Sequence, residues 1–143
     1  MTDADGLGAL LEAFINTVSQ PRGRVMTFMA EASVTVPQVI LLNLALATPD
    51  STPSRLAATM KVSLSYVSQM TERLVRLGLA ERTEDAADRR CRTIRVTARG
   101  RTLVSRLEAV RSAEYAAGAA ALSEATRSRL ADALSQALEE MRG

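Results

Sequence analysis

Ser65, Ser68, Gln69, Glu72 and Arg76 fall on one side of a single stretch read at the 3.6-residue period. Hydroxyls, a carboxamide and a guanidinium grouped in this way offer hydrogen-bond donors and acceptors, with no activated nucleophile among them. The chemistry they suit is recognition: side chains of these types reach base edges in a major groove, and a glutamine such as Gln69 can pair bidentately with adenine. The same hydroxyls and amides also serve phosphates. Tyr66 and Arg73 lie on the flanks of that side, where contact with a nucleic-acid backbone is the natural role.

The element that must present these groups is a helix from Ser63 to Leu77. Val67, Met70, Leu74 and Leu77 recur at i, i+3, i+7 and i+10 and gather on the opposite side, which should face a core. Ser63 is suited to accept from a free first-turn amide, and Gly78 can take the left-handed conformation that ends a helix. An amphipathic helix with a merely solvated polar face would show the same pattern. The next twenty residues favour more than that. Leu79 to Glu84 and Thr93 to Thr97 contain alternating segments, and Glu84-Asp85-Ala86-Ala87-Asp88 between them is polar and turn-prone, as a hairpin requires. Arg89, Arg90 and Arg92 then crowd three guanidiniums at its tip, poor material for burial but suited to the negative potential of a narrow minor groove.

With these residues in order, the chain resembles the MarR family (multiple antibiotic resistance regulators) of winged-helix transcription factors. The resemblance is carried by Leu56-Ala57, Val67-Ser68, Arg73-Leu74, Gly78-Leu79 with Arg82, Asp88-Arg89-Arg90, and Val96-Thr97 with Gly100, at the family's spacing over about Thr35 to Leu103. It implies a mostly α fold with a small β-hairpin wing. Residues 34–97 would form a winged helix-turn-helix, flanked by dimerisation helices over residues 1–33 and 98–143. It further implies a homodimeric, sequence-specific regulator of double-stranded DNA, in the family's manner a repressor, reading a pseudo-palindromic operator. Ser65, Ser68 and Gln69 would contact bases, and Tyr66, Arg73 and Arg76 the backbone. Arg90 aligns with the arginine that relatives insert into the minor groove, with Arg89 and Arg92 as phosphate contacts or salt-bridge partners and Asp88 bracing the wing arginines.

The resemblance also implies a small aromatic or phenolic effector, held between the dimer helices and the winged domain. Phe14, Met26, Phe28, Met29 and Tyr115 are apolar candidates for its pocket, although residues at helical spacing are more often plain core. Cys91 stands between Arg90 and Arg92, whose charge favours thiolate. Relatives that sense oxidants use cysteines near the amino-terminal helix instead, so Cys91 also reads as a small wing-strand residue. The alternative to DNA binding is a winged-helix module that binds protein through the same wing.

Composition narrows the classes. With 143 residues, 47% hydrophobic and 24% charged, the chain suits one domain or one protomer of an oligomer. The net charge is only +2, yet residues 55–106 hold 12 basic against 5 acidic side chains, net +7, and the remainder is net −5. A polycationic segment on an acidic scaffold is the footprint of phosphate binding. All the basic residues but Lys61 are arginine, which favours forked contacts to phosphate or guanine. Histidine is absent and cysteine single, so neither an intrachain disulfide nor a His/Cys metal site is available. Glu84, Asp85 and Asp88 sit in an expected solvated loop, unsuited to acid–base work. With no glycine-rich phosphate loop or nucleophile motif either, an enzyme and a bound cofactor are not expected. No apolar run approaches the roughly 20 residues of a membrane span, and Met1 to Gly6 is acidic rather than signal-like, so the expected location is the cytoplasm.

In chain order, Asp3 or Asp5 should cap a first helix to about Ser19, with Leu7, Leu10, Leu11, Phe14, Ile15 and Val18 in one stripe. Pro21 and Gly23 interrupt it where the family usually has one long helix, and Val25 to Ala30 can add a turn or two. Thr35 with Gln38 and Pro37 marks a capping box and a helix to about Ala47, its core face Ile40, Leu41 and Leu44. Thr52-Pro53 opens the next helix, burying Leu56, Ala57 and Met60. After the wing, Ala98 begins a helix to about Ala117, with Leu103, Leu107 and Val110 inward and Gly118 as an interruption. Ser123 caps a last helix whose Leu130, Leu134, Leu138 and Met141 form a seam.

Overall fold

The computed structural model describes residues 3–19, 23–84 and 92–143. Among these are seven helices and one two-stranded antiparallel sheet: α1 (Ala4–Val18), α2 (Arg24–Glu31), α3 (Val36–Ala47), α4 (Pro53–Met60), α5 (Leu64–Arg76), β1 (Ala80–Glu84), β2 (Arg92–Val96), α6 (Ala98–Ala119) and α7 (Glu124–Arg142). The mostly helical fold with a hairpin wing is as expected.

Helix starts follow the capping residues. Asp3 accepts from the Gly6 amide at 2.8 Å, Ser63 from Tyr66 at 3.1 Å and Ser123 from Thr126 at 3.2 Å. At α3 the Gln38 side chain reaches back to accept from the Thr35 amide at 3.0 Å, the return arm of the capping box.

The chain packs as two compact units, one of Met1–Arg24 with Val110–Gly143, the other of Val25–Ala109. The second holds a continuous core built on Leu41, Leu42, Leu56, Val67, Leu74, Ile94 and Leu107, each 2% exposed or less. Burying a leucine this fully is worth about 1.5–3 kcal/mol. Val25, Phe28, Met29 and Ala32 of the α2 segment pack against that core, and α6 supplies Val104 and Leu107 to it.

One expected core position is reversed. Ile40 is 45% exposed, while Gln38, Val39, Leu41, Leu42 and Ala45 are buried. Because α3 is apolar almost all the way round, periodicity alone does not choose its inner face. Its contacts with α4, α5 and β2 do, and they leave Ile40 roughly 140–160° round the helix from Ala45 and Leu42 at about 100° per residue.

In the first unit, α6 does not break at Gly118 but continues to Ala119. A Cβ at Gly118 would stand 2.4 Å from the Val18 carbonyl oxygen, so the absent side chain is what lets the end of α1 cross α6 there. Val18 is buried, whereas Leu7, Leu10, Leu11 and Ile15 of α1 and Leu134, Leu138 and Met141 of α7 are exposed. Glu114, itself buried, accepts from the Arg24 amide at 2.9 Å. Among the described residues no single helix is long and apolar enough to cross a membrane.

Candidate nucleic-acid interface

Within the unit of Val25–Ala109, α4 and α5 are joined by a tight turn. The Val62 amide bonds to the Ala57 carbonyl and the Lys61 amide to that of Ala58, a pairing that closes the end of α4 with Lys61 in the left-handed region at φ 56°. The same pattern closes α5: Leu79 donates to Leu74 and Gly78 to Val75, with Gly78 at φ 73°. Both ends of α5 are thus defined by side-chain and backbone caps, and its orientation is set by the buried Val67, Met70 and Leu74.

Thr71 is also buried, its hydroxyl returned to the Val67 carbonyl at 2.8 Å, so a residue whose type suggests solvent is part of the inner face. Leu77 is half-buried against the same core.

The outward face carries Ser65, Gln69, Glu72, Arg73 and Arg76, all exposed, with Tyr66 exposed on the flank and Ser68 half-buried. The side chains of Ser65, Gln69, Arg73 and Arg76 form no hydrogen bond or ion pair with any described residue. Their donors and acceptors therefore face solvent, ready for an external partner.

Beside α5, β1 and β2 pair from Ala80 opposite Val96 to Glu84 opposite Arg92. Ala80, Ile94 and Val96 point into the core. Three further bonds hold the hairpin, one across its own strands and two to the rest of the unit. Ile94 donates to the carbonyl of buried Ser51 at 3.1 Å, the Thr83 and Thr93 hydroxyls meet at 2.6 Å, and Arg82 donates to the Ser68 carbonyl at 3.3 Å. The last bond ties the wing directly to the polar helix. Sequence reasoning misses it, because strand alternation says only that Arg82 points outward, not what lies beside it. Arg95 and Glu81 face each other at 3.9 Å, both more than half exposed, a pair worth little in stability. Arg92 is exposed on β2. Asp88, Arg89, Arg90 and Cys91 lie outside the described residues.

The junction behind the wing depends on Thr97 and Gly100. The Thr97 hydroxyl donates to the Gly78 carbonyl at 2.7 Å and accepts from the Gly100 amide at 3.0 Å, capping α6 and fastening it to the end of α5. A Cβ at Gly100 would lie 2.1 Å from the Leu79 carbonyl oxygen.

A cleft of about 490 Å³ opens in the same unit, lined by Phe28, Glu31, Leu77, Leu79, Arg99 and Arg106 among others. The Arg106 guanidinium lies 5.5 Å from the centre of the Phe28 ring, a cation–π distance. Of the five candidate effector-pocket residues, Phe28 lines this cleft, Met29 is half-buried against the core, and Met26 is 76% exposed. Phe14 and Tyr115 belong to the other unit. Among the described residues no group of three or more histidine, cysteine, aspartate or glutamate side chains is placed to hold a metal ion.

Residues 32–90 match the sequence profile of the MarR family. Solved structures with this fold include the transcriptional regulator Tm0710 from Thermotoga maritima, 20% identical, with TM-score 0.80 over 96% of this chain and 95% of that one. A point variant of MepR from S. aureus bound to an oligodeoxyribonucleotide is 20% identical, with TM-score 0.70 over 94% and 97% of the two chains. CouR from Rhodococcus jostii RHA1 bound to p-coumaroyl-CoA is 26% identical, with TM-score 0.58 over 91% and 90%. No curated protein matches the sequence.

Proposed function

We propose that the chain, whose residues 32–90 match the MarR family of transcriptional regulators, is a homodimeric repressor of the genes beside a pseudo-palindromic operator. The observation that carries this reading is the outward face of α5. The Gln69 amide, the Ser65 hydroxyl and the Arg73 and Arg76 guanidiniums are exposed and unengaged among the described residues, on a helix capped at both ends and flanked by a wing.

In this reading Ser65, Ser68 and Gln69 meet base edges while Tyr66, Arg73 and Arg76 hold the backbone. Arg89, Arg90 and Arg92 engage the minor groove and its phosphates, with Asp88 bracing them. Family regulators of this kind are generally non-enzymatic DNA-binding proteins, and the MepR variant bound to an oligodeoxyribonucleotide supports the same partner here.

Two copies are required because one wing and one recognition helix read only half of a two-fold site. A dimer sets its two helices about 34–36 Å apart, one turn of duplex. The exposed apolar stripes of α1 and α7 support residues 1–33 and 98–143 as the regions that hold the second copy. An effector of small aromatic or phenolic type would tune the operator affinity. CouR bound to p-coumaroyl-CoA is a precedent for an aromatic acyl ligand, and the Phe28–Arg106 cleft beside the end of α5 is a place from which a ligand could shift that helix.

Salt tests the core of the proposal. For 6 to 10 neutralised phosphates, affinity for duplex DNA should fall by about a thousandfold or more between 50 and 200 mM salt, measured by fluorescence anisotropy. Arg90→Ala should weaken binding across many sequences and flatten the log–log slope by about one unit, whereas Gln69→Ala should cost about 1 to 3 kcal/mol on the preferred sequence alone. Equal, sequence-independent losses from both variants would refute the division between base and backbone readers. Salt-independent binding, or none, would leave the wing as a protein-docking module.

A further inference from the structure

Leu64 is the first residue of α5, immediately after the Ser63 cap, and it is 50% exposed. The other apolar residues in the first two turns, Val67 and Met70, are buried, and Leu64 is not part of the hydrophobic core that they join. Helix initiation does not call for a leucine at this position; α3 and α4 both carry proline in their first turn.

At about 100° per residue, Leu64 stands about 40° round the helix from Ser68 and precedes Ser65 directly, at the amino-terminal end that enters a major groove first in a helix-turn-helix. Its side chain is pure hydrocarbon, so it can neither accept from a base nor neutralise a phosphate. The apolar group a base pair displays in the major groove is the 5-methyl of thymine.

We propose that Leu64 is a specificity-determining residue that selects a thymine in each half-site through contact with that methyl group. The inference rests on the DNA-binding reading and adds to it an apolar reader beside the polar ones.

The test uses the full-length protein and the duplex it enriches most strongly from a random-sequence pool, with each thymine of one half-site replaced singly by deoxyuridine, which pairs identically and lacks only the methyl. Wild type should bind about fourfold more weakly at one such position, the effect of removing one buried methyl group. Leu64→Ala should bind the thymine and uracil duplexes equally, and Leu64→Met, which restores hydrocarbon at the same place, should regain the preference. Indifference of the wild type to every replacement, or full discrimination retained by Leu64→Ala, would overturn the proposal while leaving DNA binding intact. If no duplex is enriched at all, the DNA-binding reading itself fails and takes this inference with it.

Discussion

The two compact units treat their apolar residues in opposite ways. In Val25–Ala109 the large aliphatic side chains converge, with Leu41, Leu56, Val67 and Leu74 at 1% exposure or less. In the unit of Met1–Arg24 and Val110–Gly143, Leu10 is 63% exposed and Leu138 52%, though the helices bearing them are equally regular and equally well capped. Local helix formation is therefore satisfied in both, while burial is completed only in the first. Uncovered apolar stripes on regular helices mark a surface suited to an interaction, and the proposed second copy would supply one.

The largest effect that sharpens this contrast is expected from Leu74→Ala. A cavity in the closed core should cost about 2–5 kcal/mol, read as a lowered urea midpoint at every protein concentration. A loss of under about 1 kcal/mol would mean that this core is not closed. Next come the two glycines where backbones cross. Gly100→Ala and Gly118→Ala each drive a methyl into a carbonyl, of Leu79 and of Val18 respectively, and each should destabilise by about 1–3 kcal/mol. Gly100→Ala should also disturb DNA binding, because its neighbours fasten α6 to the end of the recognition helix; Gly118→Ala should spare it at temperatures where the protein stays folded. The smallest effect on the fold is expected from Leu10→Ser, within about 0.5 kcal/mol for an exposed site. The same change should shift sedimentation toward the monomer at micromolar concentration. If it lowers the melting temperature of an unchanged monomer instead, the stripe on α1 serves its own chain and the contrast collapses.

Much of the site is legible in the residues alone. The outward set on α5 follows from the 3.6-residue period, and its limits from Ser63 and Gly78, because caps and periodicity are properties of a few consecutive residues. The arginine enrichment between residues 55 and 106 emerges from counting. Thr71 and Arg82 are illegible for a different reason: each acts through a partner's backbone oxygen, that of Val67 for one and Ser68 for the other, and residue type does not disclose that bond. Gly118 reads as an interruption, since glycine weakens an isolated helix, and only the passage of Val18 across it explains why glycine stands within a continuing helix.

By itself, then, the sequence determined where most of the helices begin, which side of α5 is polar, and where positive charge collects. These depend on hydrogen bonds and spacing within one or two turns. The tertiary structure alone decided that Ile40 faces outward on a helix apolar all round, that the wing is tied to Ser51 and Ser68, and that two backbones pass closely enough to demand glycine. Those choices belong to segments far apart in the chain, whose mutual approach is set by packing the whole core at once.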